Sequence, residues 1–165
     1  MEINAVTVNI ATRRYRVYDI TEIPGKEVNL IHRIGIKTGS RVEFQEITGR
    51  VADIVRESGV KSGVCYIFVP HTTAAVMVNE HADPSVAEDI AAQLDKMVPQ
   101  AGDYRHMEGN SPAHIKASLI GDSETLLIED GRLVLGTWQG LFFAEFDGPR
   151  NRGVIVKIVA DRPGE

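Results

Sequence analysis

The chain has 165 residues, 43% of them apolar and 25% charged, enough to bury one core and too rich in aliphatics for a disordered chain. Its formal net charge of -5 disfavours bulk nucleic-acid binding, because an acidic body repels phosphate backbones. The single cysteine, Cys65, excludes an internal disulfide, and no stretch approaches the ~20 apolar residues of a membrane-spanning helix.

The start, Met1-Glu2-Ile3-Asn4, lacks the basic-then-apolar pattern of a signal peptide, so the expected compartment is the cytoplasm. Val6–Ile10 alternates like a half-buried strand, and Arg14–Tyr18 is rich in sheet-forming residues. Pro24-Gly25 marks a turn, residues 28–37 a strand, Gly39-Ser40 a second turn and residues 41–45 another alternating strand. Residues 10–21 weakly echo residues 36–48, which two similar hairpins would produce; chance similarity of alternating segments explains it equally well. A first helix is predicted over 49–58, capped by Thr48, ended by Gly59, with Val51, Ile54 and Val55 as its apolar stripe. Residues 64–69 are apolar throughout and predict a strand buried on both faces, with Cys65 as a small core residue. Residues 74–78 predict a further strand.

The clearest helix is 84–98, with Asp83 as cap, Pro84 in the first turn and apolar residues from Val86 to Val98 at helical spacing. Residues 102–109 form a polar loop. A short helix follows, capped by Ser111 and closed by Gly121. Strands are predicted at 125–129, 132–136, 141–146 and 153–160, with Asp130-Gly131 as a hairpin turn. Unequal blocks of strands and helices argue for an α+β fold with a mixed, mostly antiparallel bent sheet or sandwich and a few helices. The whole of 1–165 reads as one domain.

Three polar clusters interrupt the apolar pattern: Pro70 to Thr73 with Asn79, Glu80, His81 and Asp83 behind it; His106 to Lys116; and Gly136 to Gln139 with Asp147 to Arg152. Histidine is the usual metal ligand and general base near neutral pH, and His71, His106 and His114 all fall in these clusters. Three imidazoles with a carboxylate would suit a divalent ion, Mg or Zn, or acid–base chemistry. Their spacing matches none of the compact zinc signatures, so the metal reading rests on residue type alone. His114, at the third position of the short helix, places an anion site at Ser111 to His114. Lys116, Arg150 and Arg152 would add charge, and Thr72, Thr73 and Asn110 neutral hydrogen bonds. No organic cofactor is evident.

Plainer roles compete at each position. Asp83 reads first as a cap, and His32 and His81 as surface histidines. Trp138 reads as core or subunit interface. Arg150, Arg152, Lys116 and Asp89 also suit a solvated surface, and Glu80 a structural ion pair. The functional reading rests on co-occurrence: Gly, Pro and polar residues cluster beside His, Glu and Arg three times over.

His71-Thr72-Thr73-Ala74 with Asn79-Glu80, His106 with Glu108-Gly109-Asn110, Ala113-His114, Leu135 to Gln139, and Arg150 with Arg152 resemble the YjbQ-like family, whose members are labelled secondary thiamine-phosphate synthases. The resemblance spans roughly 34–160 and leaves residues 1 to about 30 as an extension. It implies an α+β fold, a homotrimer with the polar site near the subunit boundary, and condensation of a hydroxymethylpyrimidine diphosphate with a thiazole phosphate.

Three functions follow as expectations. The first is a transferase on phosphorylated substrates. In it Arg150, Arg152, Lys116 and a divalent ion meet the leaving diphosphate. Glu108 and His114 bind the ion or shuttle protons, and His71 with Thr73 orients substrate; Thr72, Asn79, Glu80, Asn110 and Gln139 complete the binding set. The second is a metal-dependent hydrolase built on His71, His106 and His114. The third is a non-catalytic trimer that holds a small anion. All three require the three clusters to converge.

Overall fold

The computed structural model describes residues 5–10, 13–18 and 31–162. The expected turn at Pro24-Gly25, strand residues 28–30 and parts of the 10–21 echo lie outside these. Strands β1 (Ala5–Ile10) and β2 (Arg13–Tyr18) pair antiparallel, with Val6 opposite Val17 and Val8 opposite Tyr15.

The remaining elements in chain order are β3 (Ile31–Lys37), β4 (Glu43–Glu46), α1 (Thr48–Ser58), β5 (Gly63–Phe68), β6 (Ala74–Glu80), α2 (Pro84–Met97), α3 (Ser111–Ile120), β7 (Ser123–Glu129), β8 (Arg132–Leu133), β9 (Gln139–Glu145) and β10 (Asn151–Ala160). They build a five-stranded sheet, β3-β10-β5-β7-β8, and a three-stranded sheet, β4-β9-β6. Every pairing is antiparallel. The fold is therefore α+β with mostly antiparallel sheets, as the block pattern predicts.

The main core lies between the sheets. Ile67, Val154 and Val156 from one sheet meet Val76, Leu141 and Phe143 from the other, closed by Val51 and Val55 of α1. The opposite face of the three-stranded sheet is covered by α3 through Ala75, Ala113, Ala117, Ala144 and Phe146. Small residues at this second seam let the helix backbone approach the sheet closely. That approach positions the candidate site.

Several local expectations are corrected. Strand β5 is not buried on both faces: Cys65 and Ile67 point inward, whereas Tyr66 and Phe68 are 46 and 41% exposed. A short apolar run reads the same whether or not its second face is covered. The strands buried on both faces are β6 and β9. Residues 36–48 are not a hairpin like β1–β2, because β3 pairs with β10 and β4 with β9. Thr48 is not the cap of α1; it is the first helical residue, and its Oγ1 accepts the Leu141 amide at 2.8 Å. The Thr48 amide is satisfied instead by the Glu46 carboxylate at 3.0 Å. Gly59 does end α1 in the left-handed conformation.

Asp83 caps α2, accepting from the Ser85 amide at 2.9 Å. Yet no residue of α2 is fully buried, and Met97 is exposed, so its apolar stripe is only half covered. Strand β8 stops at Leu133 rather than 136. Asp130 and Gly131 both adopt positive φ, as a two-residue hairpin turn requires. Among the described residues no helix is long and apolar enough to cross a membrane.

Candidate functional site

The β5–β6 connection and α3 face each other across an open cleft of about 810 Å³. Val69, Pro70, His71 and Thr72 form one wall; His114 and Ser118 stand on the other. Backbone bonds fix the two walls together, Val69 N–H to the Asp122 carbonyl at 2.8 Å and Val76 N–H to the Gly121 carbonyl at 3.1 Å. Two of the three predicted histidines thus share one cavity. The third, His106, does not line the cavity; it stands in the polar loop with its ring 5.2 Å from that of His114 and perpendicular to it. Glu108 lies 3.8 Å from His106, and both are well exposed.

His71 is held by its backbone and its ring. Its Nε2 accepts the Gly153 amide at 2.9 Å, which leaves the proton of the neutral ring on Nδ1. Burial and the nearby Arg152 charge lower its pKa below 6.5, with Glu145 opposing. His71 is therefore a neutral imidazole at pH 7, donating from Nδ1 and already accepting at Nε2.

Beneath His71 lies a buried ion pair that the sequence reading did not include. The Glu145 side chain is fully buried at the end of β9. Arg152 of β10 donates to it from Nε at 2.7 Å and Nη2 at 2.6 Å, and from Nη2 to Thr73 Oγ1 at 2.7 Å. The Phe146 and Asp147 amides donate to Glu145 Oε1 at 3.1 and 3.0 Å. Thr38 Oγ1 stands 3.3 Å from Oε2 and accepts the Arg150 amide at 2.8 Å. A carboxylate inside an apolar strand, Leu141-Phe142-Phe143-Ala144-Glu145-Phe146, was the signal for this pair.

Asp147 organises the next layer. It accepts from Arg150 Nη2 at 2.7 Å and Asn110 Nδ2 at 3.0 Å. Burial would raise its pKa, but these bonds and the charges of Arg150 and Arg152 hold it below the ordinary aspartate value. Asn110 Oδ1 is buried and has no partner among the described residues.

The geometry revises the anion site. Each predicted cation already meets a carboxylate of this chain: Arg150 with Asp147, Arg152 with Glu145, and the buried Lys116 with Asp95 of α2. Asn110, not Ser111, precedes α3, so His114 is the fourth helical residue. Pro112 has no amide, and the Ala113 and His114 amides turn back to the Asn110 carbonyl at 2.9 and 3.4 Å. The helix start therefore offers an anion little. Among the described residues no three His, Cys, Asp or Glu side chains converge as a metal site, so His71, His106 and His114 do not form one within a single chain.

Asn79, Glu80 and Gln139 lie elsewhere. The register pairs Glu80 with Gln139 and Asn79 with Gly140 at one end of the three-stranded sheet, while Ala74 pairs with Glu145 at the other. Six residue steps along β6 separate the ends by ~20 Å. There Asn79 Oδ1 accepts the Glu80 amide and Gln139 Oε1 the Gly136 amide, both at 2.8 Å, beside the exposed Trp138. His81 is exposed nearby; His32 is partly buried, with no partner for Nε2 among the described residues. Cys65 is fully buried, and burial pushes its thiol pKa up to about 12.

Residues 32–161 match the family described as UPF0047 protein YjbQ-like. The UPF0047 protein MJ1081 of Methanocaldococcus jannaschii is 50% identical over 135 residues, 82% of this chain and 98% of that protein. YugU of Bacillus subtilis is 44% identical over 79% of this chain and 99% of its own length. A Clostridium acetobutylicum family structure superposes with a TM-score of 0.77 at 54% identity, covering 78% of this chain and 99% of that one. A Sulfolobus solfataricus structure, a YbjQ-like protein of unknown function, gives 0.77 at 36% identity over 80% and 97%.

Proposed function

Since the chain belongs to the YjbQ-like UPF0047 family, we propose that the cleft between the β5–β6 connection and α3 is the seat of acid–base chemistry on a small phosphorylated molecule. One observation carries this reading: His71 and His114 line one cavity from opposite walls, and His71 is kept neutral with its Nδ1 proton free of the Gly153 bond. A neutral imidazole donor on one side and a second imidazole on the other can place and remove protons on a bound substrate. Thr72 adds a hydroxyl to the same wall.

The reaction to test first is the one the family resemblance implies. A thiazole nitrogen attacks the methylene of a pyrimidine diphosphate, a C–N bond forms, and the C–O bond to diphosphate breaks. Charge develops on the departing diphosphate. With Arg150 and Arg152 committed to carboxylates, the donors for it are His71 Nδ1–H, Thr72 and His114, together with magnesium carried in by the diphosphate. Glu108, beside His106, supports the imidazole pair from the loop.

The distant set Asn79, Glu80 and Gln139 fits this proposal through the homotrimer that the resemblance implies, reaching a neighbouring copy's cleft from the far end of the sheet. Light scattering on the purified chain tests the trimer. Incubation with both precursors and magnesium tests the chemistry. Thiamine phosphate and pyrophosphate are the expected products, lost in His71→Ala and His114→Ala. No product above the His114→Ala background overturns the assignment.

A further inference from the structure

His71 and His114 stand on opposite walls of the cleft, yet both walls are tied to one short run of chain, Glu145-Phe146-Asp147, where β9 ends. On the His71 side, Glu145 holds Arg152, and the amide of the next residue, Gly153, donates to His71 Nε2. The Phe146 amide also donates to the Thr73 carbonyl at 3.1 Å. On the His114 side, Asp147 Oδ2 accepts from Asn110 Nδ2, and the Asn110 carbonyl accepts the His114 amide. The Asp147 amide closes the path by donating to Glu145 Oε1. Little of this path meets water: Asn110 is 8% exposed and Glu145 not at all. Each bond is made within one chain, with no need of a second copy.

Asn110 departs from the usual behaviour of its position. An Asn before a helix ordinarily turns its side-chain oxygen to one of the helix's first amides. Asn110 makes no such bond. Its side-chain amide reaches back to Asp147 instead, and its Oδ1 has no partner among the described residues. A local rule given up one turn before His114 is where a functional demand is expected.

Resting on the reading of this cleft as a seat of acid–base chemistry, we propose that Asp147 and Asn110 are positioning residues that hold His114 at its working distance from His71. Neither side chain lines the cleft. Asp147 is fixed first, by its own amide on Glu145 and by Arg150, which donates to its carboxylate and to its carbonyl. It then presents Oδ2 to Asn110 and so sets where α3 begins. Phe146 packs beneath the same helix against Ala113 and Ala117. Both imidazoles thus take their place from the Glu145 carboxylate. Proton transfer to a bound substrate depends on such spacing, and a displacement of ~1 Å can cost about a hundredfold in rate.

Histidine-ring NMR and amide hydrogen exchange on the full chain test the placement without substrate. In Asn110→Ala and Asp147→Ala the His114 ring signals should move, and the Ala113 and His114 amides should exchange about tenfold faster or more. His71 should keep its Nδ1–H tautomer, and slow β10 amides report an intact core; Asn110→Ala carries the test should Asp147→Ala unfold. Asp147→Asn keeps an oxygen for Asn110 and should restore both His114 readouts, which separates placement from charge. Unchanged His114 readouts in the alanine variants overturn the proposal, as do equal changes at His71 and His114 or an Asp147→Asn that behaves like the alanine. With both precursors and magnesium, kcat should fall about tenfold or more in Asn110→Ala with KM little changed. An active wild type with unaltered kcat in Asn110→Ala also overturns the positioning role. A wild type that makes no thiamine phosphate removes the reaction assigned above, while ring signals and exchange still decide how His114 is held.

Discussion

Arg152 and Glu145, seven residues apart on successive strands, form a two-bonded ion pair with the carboxylate fully buried and the guanidinium nearly so. The pair joins the two sheets at the point where Thr73 and His71 leave the core. It acts on the cleft through position: Arg152 fixes the Thr73 hydroxyl, and its charge helps keep His71 neutral.

Removing one partner of such a pair should cost more than the pair contributes, because the other charge stays buried without compensation. Arg152→Met is expected to lower stability by about 3–5 kcal/mol in urea unfolding. The double variant Arg152→Met/Glu145→Leu should recover part of this, since no lone charge remains. Recovery should be incomplete, because the Phe146 and Asp147 amides also lose their acceptor. Full additivity of the two single losses would contradict this account.

Much of the local structure could be read from the sequence. Asp83-Pro84 opening α2, Gly59 ending α1 and Asp130-Gly131 turning β7 into β8 are signals made within a few residues. What escaped depends on partners far away in the chain. Thr48 looks like a cap locally but bonds Leu141, and β5 looks fully buried although nothing described covers Tyr66. Division of the strands into two sheets follows from the β3–β10 and β4–β9 pairings, which no local pattern encodes.

The site was legible in the same uneven way. Residue type singled out His71, Thr72 and His114, and these do share the cleft. It also singled out Arg150, Arg152 and Lys116 as free cations, because their carboxylate partners sit three, seven and 21 residues away. Asn79, Glu80 and Gln139 were grouped with the rest by motif, while a strand's length holds them apart within one chain.

The lowered His71 pKa fixes the sign of one pH effect. The unfolded chain binds a proton near 6.5, the folded chain only at lower pH, so between these values the unfolded state holds more protons. His71 therefore contributes stability that is complete above pH 6.5 and lost as pH falls towards the folded value. Protonation would also place a hydrogen on Nε2 where Gly153 now donates. Urea midpoints measured from pH 7.5 to 5 should fall more steeply for the wild type than for His71→Asn. An identical slope would remove His71 as the source.

Gly148 lies in the turn between β9 and β10, where there is no room for a side chain. A Cβ there would stand 2.2 Å from the Ser40 carbonyl oxygen and 2.9 Å from both Glu145 Cγ and Thr38 Oγ1. Backbone cannot yield as a flexible side chain does, so Gly148→Ala should cost about 1–3 kcal/mol through overpacking. Two of these crowded groups belong to the buried network, Glu145 itself and its partner Thr38. The His71 ring resonances, followed by NMR, should therefore shift in this variant, whereas Gly49→Ala, with open space around it, should leave them in place.

Lys116 separates a structural cation from a substrate-binding one. Its side chain is 4% exposed, it pairs with Asp95, and it does not line the cleft. The bond ties α2 to α3, and α2 otherwise has little buried surface to hold it. Replacing the ammonium by an apolar chain of similar length removes a buried charge together with its need for a partner. Lys116→Met should thus be close to neutral in stability, whereas Asp95→Ala, which strands the ammonium, should cost more, even though Asp95 is itself largely exposed. Both variants should retain wild-type affinity for inorganic phosphate in calorimetry if the cation only fastens the helices. A tenfold or greater loss of phosphate affinity in Lys116→Met alone, about 1.4 kcal/mol, would return Lys116 to the ligand.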